Sequence, residues 1–120
     1  MSALIKLPCV IATLLVVPPA FADALNVPGI QLRGTITQAY RCANGKSLQV
    51  TYLNAANGQS FALVPVDGRP LLFVDTLAAS GVRYQAGRYV WWNKGRHGDL
   101  YDTMRGANAA PLAAGCSAAK

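Results

Sequence analysis

The chain has 120 residues, a net charge of +6 and no glutamate. With 52% hydrophobic residues it is neither a disordered basic tail nor a low-complexity segment, and its length bounds it to one domain. A single histidine, His97, and the lack of any Cys-x-x-Cys or Gly-x-Ser-x-Gly step argue against a metal centre or a nucleophilic active site. No cofactor, metal or catalytic residue is expected.

At the N-terminus, Lys6 leads into an apolar run, Leu7 to Val17, broken by Pro8. Pro18-Pro19 ends the run, and Ala20-Phe21-Ala22 has the small-x-small form of a cleavage site. Residues 1–22 therefore read as a cleaved export signal, too short in its apolar part for a stable membrane anchor. Cys9 comes too early for lipidation, behind the unsuitable Lys6-Leu7-Pro8. The product is expected to be soluble and periplasmic, with a flexible arm at 23–34 and a folded domain at 35–120.

Two cysteines follow the export signal, Cys42 and Cys116. In an oxidising compartment such a pair is expected to form one disulfide. It closes a loop of about 74 positions, for which chain entropy gives roughly 4 to 4.5 kcal/mol. That is a large share of the stability of a small domain.

The body of the domain reads as antiparallel β-structure. Asn44-Gly45, Asn57-Gly58 and Asp67-Gly68 are hairpin-turn dipeptides at short spacing. Between the first two, Leu48, Val50 and Tyr52 alternate with Gln49 and Thr51, the pattern of a half-buried strand. Residues 59–66, 71–74, 82–85, 88–93 and 99–104 read as further strands, with a tight turn at Gln85-Ala86-Gly87. Pro65 suits a strand edge or exit, and Ala107 to Ala114 reads as a loop. No window after the export signal carries a helical apolar stripe. Short strands with turns every few residues indicate an all-β fold, a small barrel or sandwich.

One block stands apart. Ser80-Gly81-Val82-Arg83-Tyr84 is followed by Gly87, Tyr89 and Trp92-Asn93-Lys94-Gly95. Gly81 and Gly95 allow backbone bends next to Ser80 and Lys94. Together with the Tyr40-Arg41-Cys42 opening and the closing Gly115-Cys116, this block resembles the signature of the bacterial inhibitors of c-type lysozyme (the MliC/PliC family). The resemblance implies an eight-stranded antiparallel barrel and a protein partner, c-type lysozyme. It also implies lysozyme-contacting roles for Ser80 and Lys94, with Gly81 and Gly95 shaping the loops and Tyr84 bracing them. On composition alone, Ser80 would be a turn serine, Lys94 a solvated lysine, and Tyr84, Tyr89, Trp91 and Trp92 barrel filler.

The implied mechanism has a physical basis. A lysozyme-type glycosidase works through two carboxyl groups flanking the scissile bond, one of them held protonated. An ammonium group entering that cleft favours ionised carboxylates, and so opposes the acid while blocking substrate. Such inhibition would protect bacterial peptidoglycan. One departure from the family is plain: where a familiar family pattern has an acidic pair and Ala after Lys-Gly, this chain has Arg96-His97-Gly98. The runner-up is a periplasmic structural, polymer-binding or ligand-binding barrel. A nucleic-acid binder fits the charge and aromatics but not export.

Overall fold

Two-residue alternation makes the strands. In Ser60–Val66, Ala62, Val64 and Val66 are buried while Phe61, Leu63 and Pro65 stay half-exposed, as expected of a strand with one face on a core. The computed structural model describes residue 8, residues 11–15 and residues 24–120. The cleavage step Ala20-Phe21-Ala22 and Cys9 lie outside the described residues. Eight strands follow: β1 (Leu32–Arg41), β2 (Ser47–Ala55), β3 (Ser60–Val66), β4 (Arg69–Thr76), β5 (Val82–Ala86), β6 (Tyr89–Lys94), β7 (His97–Asp102) and β8 (Ala113–Ala118). Each pairs antiparallel with its neighbours in sequence, and β8 returns to β1 to close a barrel. Closure leaves no free sheet edge where all strands overlap. Among the described residues one 3₁₀ turn, Thr103–Arg105, interrupts the β-structure.

The expected turn dipeptides do what their chemistry requires. Asp67 and Gly68 both take positive φ (50° and 76°), the type I′ geometry that matches strand twist. Asn57 accepts a bond from the amide of Gln59 at 2.9 Å, and Asn44 accepts one from that of Lys46 at 3.1 Å, so each side chain closes its own turn. The β5–β6 turn sits one residue later than the sequence indicates: Ala86 pairs with Tyr89, so Gly87 and Arg88 form the tip.

Pro65 faces Pro70 across β3–β4. The β2–β3 ladder stops at Leu63, and the β4–β5 ladder starts at Val74. The missing amide hydrogens therefore fall where no outer neighbour asks for them.

The lumen is filled, with Trp91, Phe73, Val50 and Val64 fully buried. Its polar atoms are paired. Trp91 Nε1 donates to Tyr52 Oη at 3.0 Å, Tyr52 and Tyr40 share a hydroxyl bond of 2.7 Å, and Asn93 Nδ2 donates to Tyr40 Oη at 3.3 Å. A side chain at Gly98 would run into the ring of Trp91, so glycine there makes room for the largest core residue.

Closure is the thin point of the wall. β1 matches β2 through nine residue pairs but β8 through two, Tyr40–Ala118 and Arg41–Ser117. The Cys42–Cys116 disulfide lies beside that seam and ties the end of β1 to β8. β1 begins at Leu32, so it takes in the last residues of the expected arm. Part of the expected Ala-rich loop is β8, which starts at Ala113.

Candidate functional site

The β5–β6 register sets the site. Val82 lies opposite Asn93 and Arg83 opposite Trp92. The residues one step further, Gly81 and Lys94, therefore meet at the end of the barrel away from the Gly87-Arg88 tip. Ser80 lies near the end of the β4–β5 loop, one residue before Gly81, and Gly95-Arg96 forms the two-residue β6–β7 turn between Lys94 and His97. Ser80, Gly81, Lys94 and Gly95 are all exposed.

Gly81 is the hinge of this arrangement. Its φ is +65°, and a Cβ there would collide with the carbonyl of Asn93 and come within 2.8 Å of Lys94 Cγ. Only a residue without a side chain lets the Ser80 loop lie this close to the lysine stem. Gly95, with φ +59°, has open space around it and is required by the backbone angle alone.

Trp92 links the two sides. Its indole N–H donates to the Ser80 carbonyl at 2.9 Å. Lys94 Nζ sits 4.3 Å from the centroid of one ring of the same side chain. Two residues apart on one strand, Trp92 and Lys94 share the outer face. By residue type Trp92 is barrel filler; its i, i+2 spacing from Lys94 is the sequence signal that the two share a face.

Tyr84 is not at this surface. It is 5% exposed, inside the barrel, with its ring 5.7 Å from that of Tyr52. Burial pushes its phenol pKa up, and the charge of Asp75 on the neighbouring strand adds to the rise. It supports the wall beneath the loops rather than the exposed tip.

The surrounding cations are divided by the fold. The salt bridge among the described residues is Arg88–Asp102, with bonds of 2.8 Å from both Nε and Nη2, at the opposite end of the β5–β6 hairpin. Lys94 thus has no carboxylate partner among them. Arg96 donates to the Ala118 carbonyl at 3.1 Å, and His97 Nδ1 lies 3.2 Å from Ser117 Oγ. The basic pair after Lys94-Gly95 is therefore anchored to β8. What remains at this end of the barrel is an exposed Lys94 whose stem packs against the backbone of the exposed Ser80 loop. An exposed ammonium can pair with a carboxylate, and an exposed hydroxyl can donate to one.

The family model described as "Membrane-bound lysozyme-inhibitor of c-type lysozyme" matches residues 40–109, a span that holds Ser80, Gly81, Tyr84, Lys94 and Gly95. A Cupriavidus necator protein named membrane-bound lysozyme inhibitor of C-type lysozyme is 43% identical over 97 residues, covering 81% of this chain and 77% of that one. A Pseudomonas aeruginosa protein of the same name is 41% identical over 88 residues, covering 72% of this chain and 68% of that one. The crystal structure of Pseudomonas aeruginosa MliC in complex with hen egg white lysozyme is similar with a TM-score of 0.65 and 37% identity, covering 83% of this chain and 98% of that one. The fold is also that of PliC-St, the periplasmic lysozyme inhibitor of C-type lysozyme from Salmonella typhimurium, with a TM-score of 0.63 at 22% identity over 72% of this chain and 100% of that one. On these matches and this barrel, the chain belongs to the MliC family, the membrane-bound lysozyme inhibitors of c-type lysozyme.

Proposed function

We infer that this protein inhibits c-type lysozyme by inserting its Ser80 loop and Lys94 turn into the catalytic cleft, and so protects peptidoglycan. The observation that carries the reading is the junction at Gly81, which seats an exposed serine loop against the stem of an exposed lysine. Lys94 brings a compact positive charge that two catalytic carboxylates attract, and that favours the ionised state of the one that must donate a proton. Ser80 brings a hydroxyl that can donate to either carboxylate. The family relatives are named for the same inhibition.

Animal c-type lysozymes are generally basic, and this chain is basic too, so approach is opposed at long range. Short-range contact inside an acidic cleft has to outweigh that repulsion. Added salt should then relieve the repulsion and speed association rather than slow it. Residues 1–22 act as the export signal, 23–31 as an arm and 32–120, from the start of β1, as the inhibitory domain, acting in the periplasm. The direct test is lysozyme-driven clearing of a bacterial cell suspension with and without the purified domain. Unchanged clearing rates across several c-type lysozymes at excess domain would overturn the reading.

A further inference from the structure

Among the features outside the Ser80–Lys94 pair, Trp92 makes two independent contacts with it. The indole N–H is bonded to the backbone of the Ser80 loop, and the indole face lies under the Lys94 ammonium. Trp92 is half-buried and lines a groove of about 330 Å³ with Arg83, Val90, Tyr101 and Thr103. Arg83, its cross-strand partner, flanks it on β5. The indole is therefore seated by the sheet, while both groups it contacts belong to exposed segments.

We propose that Trp92 is the positioning residue of the inhibitory tip, fixing the Ser80 loop through its N–H and the Lys94 ammonium through its π-face. The inference rests on the lysozyme-cleft reading of Ser80 and Lys94. A free lysine ammonium on a four-carbon stem samples many rotamers, and a docked one samples few. Holding the charge over an aromatic face before encounter removes part of that ordering cost from the binding step. The bond to the Ser80 carbonyl does the same for a loop whose backbone is otherwise free at that point. Neither contact uses the Ser80 hydroxyl or the ammonium protons that face outward, so both groups stay available to carboxylates.

The experiment uses Trp92→Leu, which removes both contacts, and Trp92→Phe, which keeps a π-face and loses the N–H. Each is compared with Lys94→Ala in a lysozyme-binding titration. Trp92→Leu is expected to weaken binding about tenfold and Trp92→Phe about threefold, with the Lys94 contact partly rescued in the latter. Proton NMR of the free protein supplies a readout that loss of fold stability does not move. The Lys94 side-chain methylene signals should be shifted by the indole ring current in the wild type, keep a reduced shift in Trp92→Phe, and return to ordinary positions in Trp92→Leu. Unchanged Lys94 signals in Trp92→Leu would overturn the proposal. So would full binding by Trp92→Leu where Lys94→Ala binds weakly. Full binding by Lys94→Ala would instead remove the cleft reading on which the proposal stands.

Discussion

Gly81 lies so close to Asn93 that the carbonyl of one occupies the place where a Cβ on the other would go. Two constraints coincide there, because the same residue has φ +65°. Gly81→Ala therefore costs both the left-handed strain of an L-residue, about 1–2 kcal/mol, and a shift of the loop away from β6. The shift moves Ser80 relative to Lys94. Gly81→Ala is expected to lower the melting temperature by several degrees and to weaken lysozyme inhibition more than its stability loss accounts for. Gly95→Ala, which meets no neighbour, is the strain-only control. Equal inhibition by both variants would dissociate Gly81 from the tip.

Lys94→Ala removes the cation aimed at the catalytic carboxylates. It is expected to weaken inhibition by about 2 kcal/mol or more, the scale for truncating a buried interfacial charge. Ser80→Ala should cost about 1 kcal/mol, and more where the hydroxyl meets an ionised oxygen. Both side chains are exposed, so thermal unfolding should stay near wild type. Lys94→Arg tests shape: a planar fork replaces a compact ammonium and should not restore full inhibition. A Ser80→Ala/Lys94→Ala double variant as potent as wild type would refute the site.

The barrel seam predicts the weight of the disulfide. β1 and β8 meet through two residue pairs, and Cys42–Cys116 joins the same two segments. Cys42→Ser releases a loop of about 74 residues, which chain entropy values at roughly 4 kcal/mol. The melting temperature should fall by about 15 °C or more for a domain of this size. Hydrogen exchange should rise first at the β1–β8 amides. A small thermal change with uniform exchange would show that the seam holds without its covalent tie.

How far the fold was legible depended on local chemistry. Strands with clean alternation, such as Leu48–Tyr52, and turns with Asn-Gly or Asp-Gly chemistry could be read directly. β1 and β8 could not. β1 is exposed along most of its length, and Gly34, Thr35 and Thr37 give it no apolar rhythm. β8 is Ala113-Ala114-Gly115-Cys116-Ser117-Ala118, whose small residues carry little strand signal and gain their place from pairing with β7 and the disulfide. Ser80 and Lys94 were singled out by resemblance, since nothing in their residue types separates them from ordinary turn residues. Trp92 was passed over because its role depends on register: only pairing with Arg83 places its N–H beside the Ser80 carbonyl.

Export can be checked on protein recovered from the periplasm of an expressing bacterium. Intact mass should match a chain beginning near residue 23 with no lipid, because Lys6-Leu7-Pro8 before Cys9 is no lipidation site. A diacylglyceryl adduct on any cysteine would place the protein on the membrane, as the names of its family relatives state for them.

The internal hydroxyl network predicts how the protein meets alkali. Burial first, and then the bond with Tyr40, push the phenol pKa of Tyr52 far above its ordinary value; burial also raises Tyr84. A group whose pKa is higher in the fold than in the unfolded chain contributes stability that is complete below the unfolded value and is lost as pH rises beyond it. Denaturant midpoints should therefore stay flat up to about pH 9.5, below the ordinary tyrosine value near 10, and fall above it. Tyr52 should ionise, by its absorbance at long wavelength, only as the fold is lost. Tyr52→Phe makes the contrast. It strands Trp91 Nε1 without its acceptor and leaves Tyr40 Oη with Asn93 alone, so it should cost about 1–3 kcal/mol at neutral pH. Having one fewer raised phenol, it should then lose less between pH 9.5 and 11 than the wild type does. Parallel alkaline losses in the two proteins would mean that Tyr52 is not the group that links the core to pH.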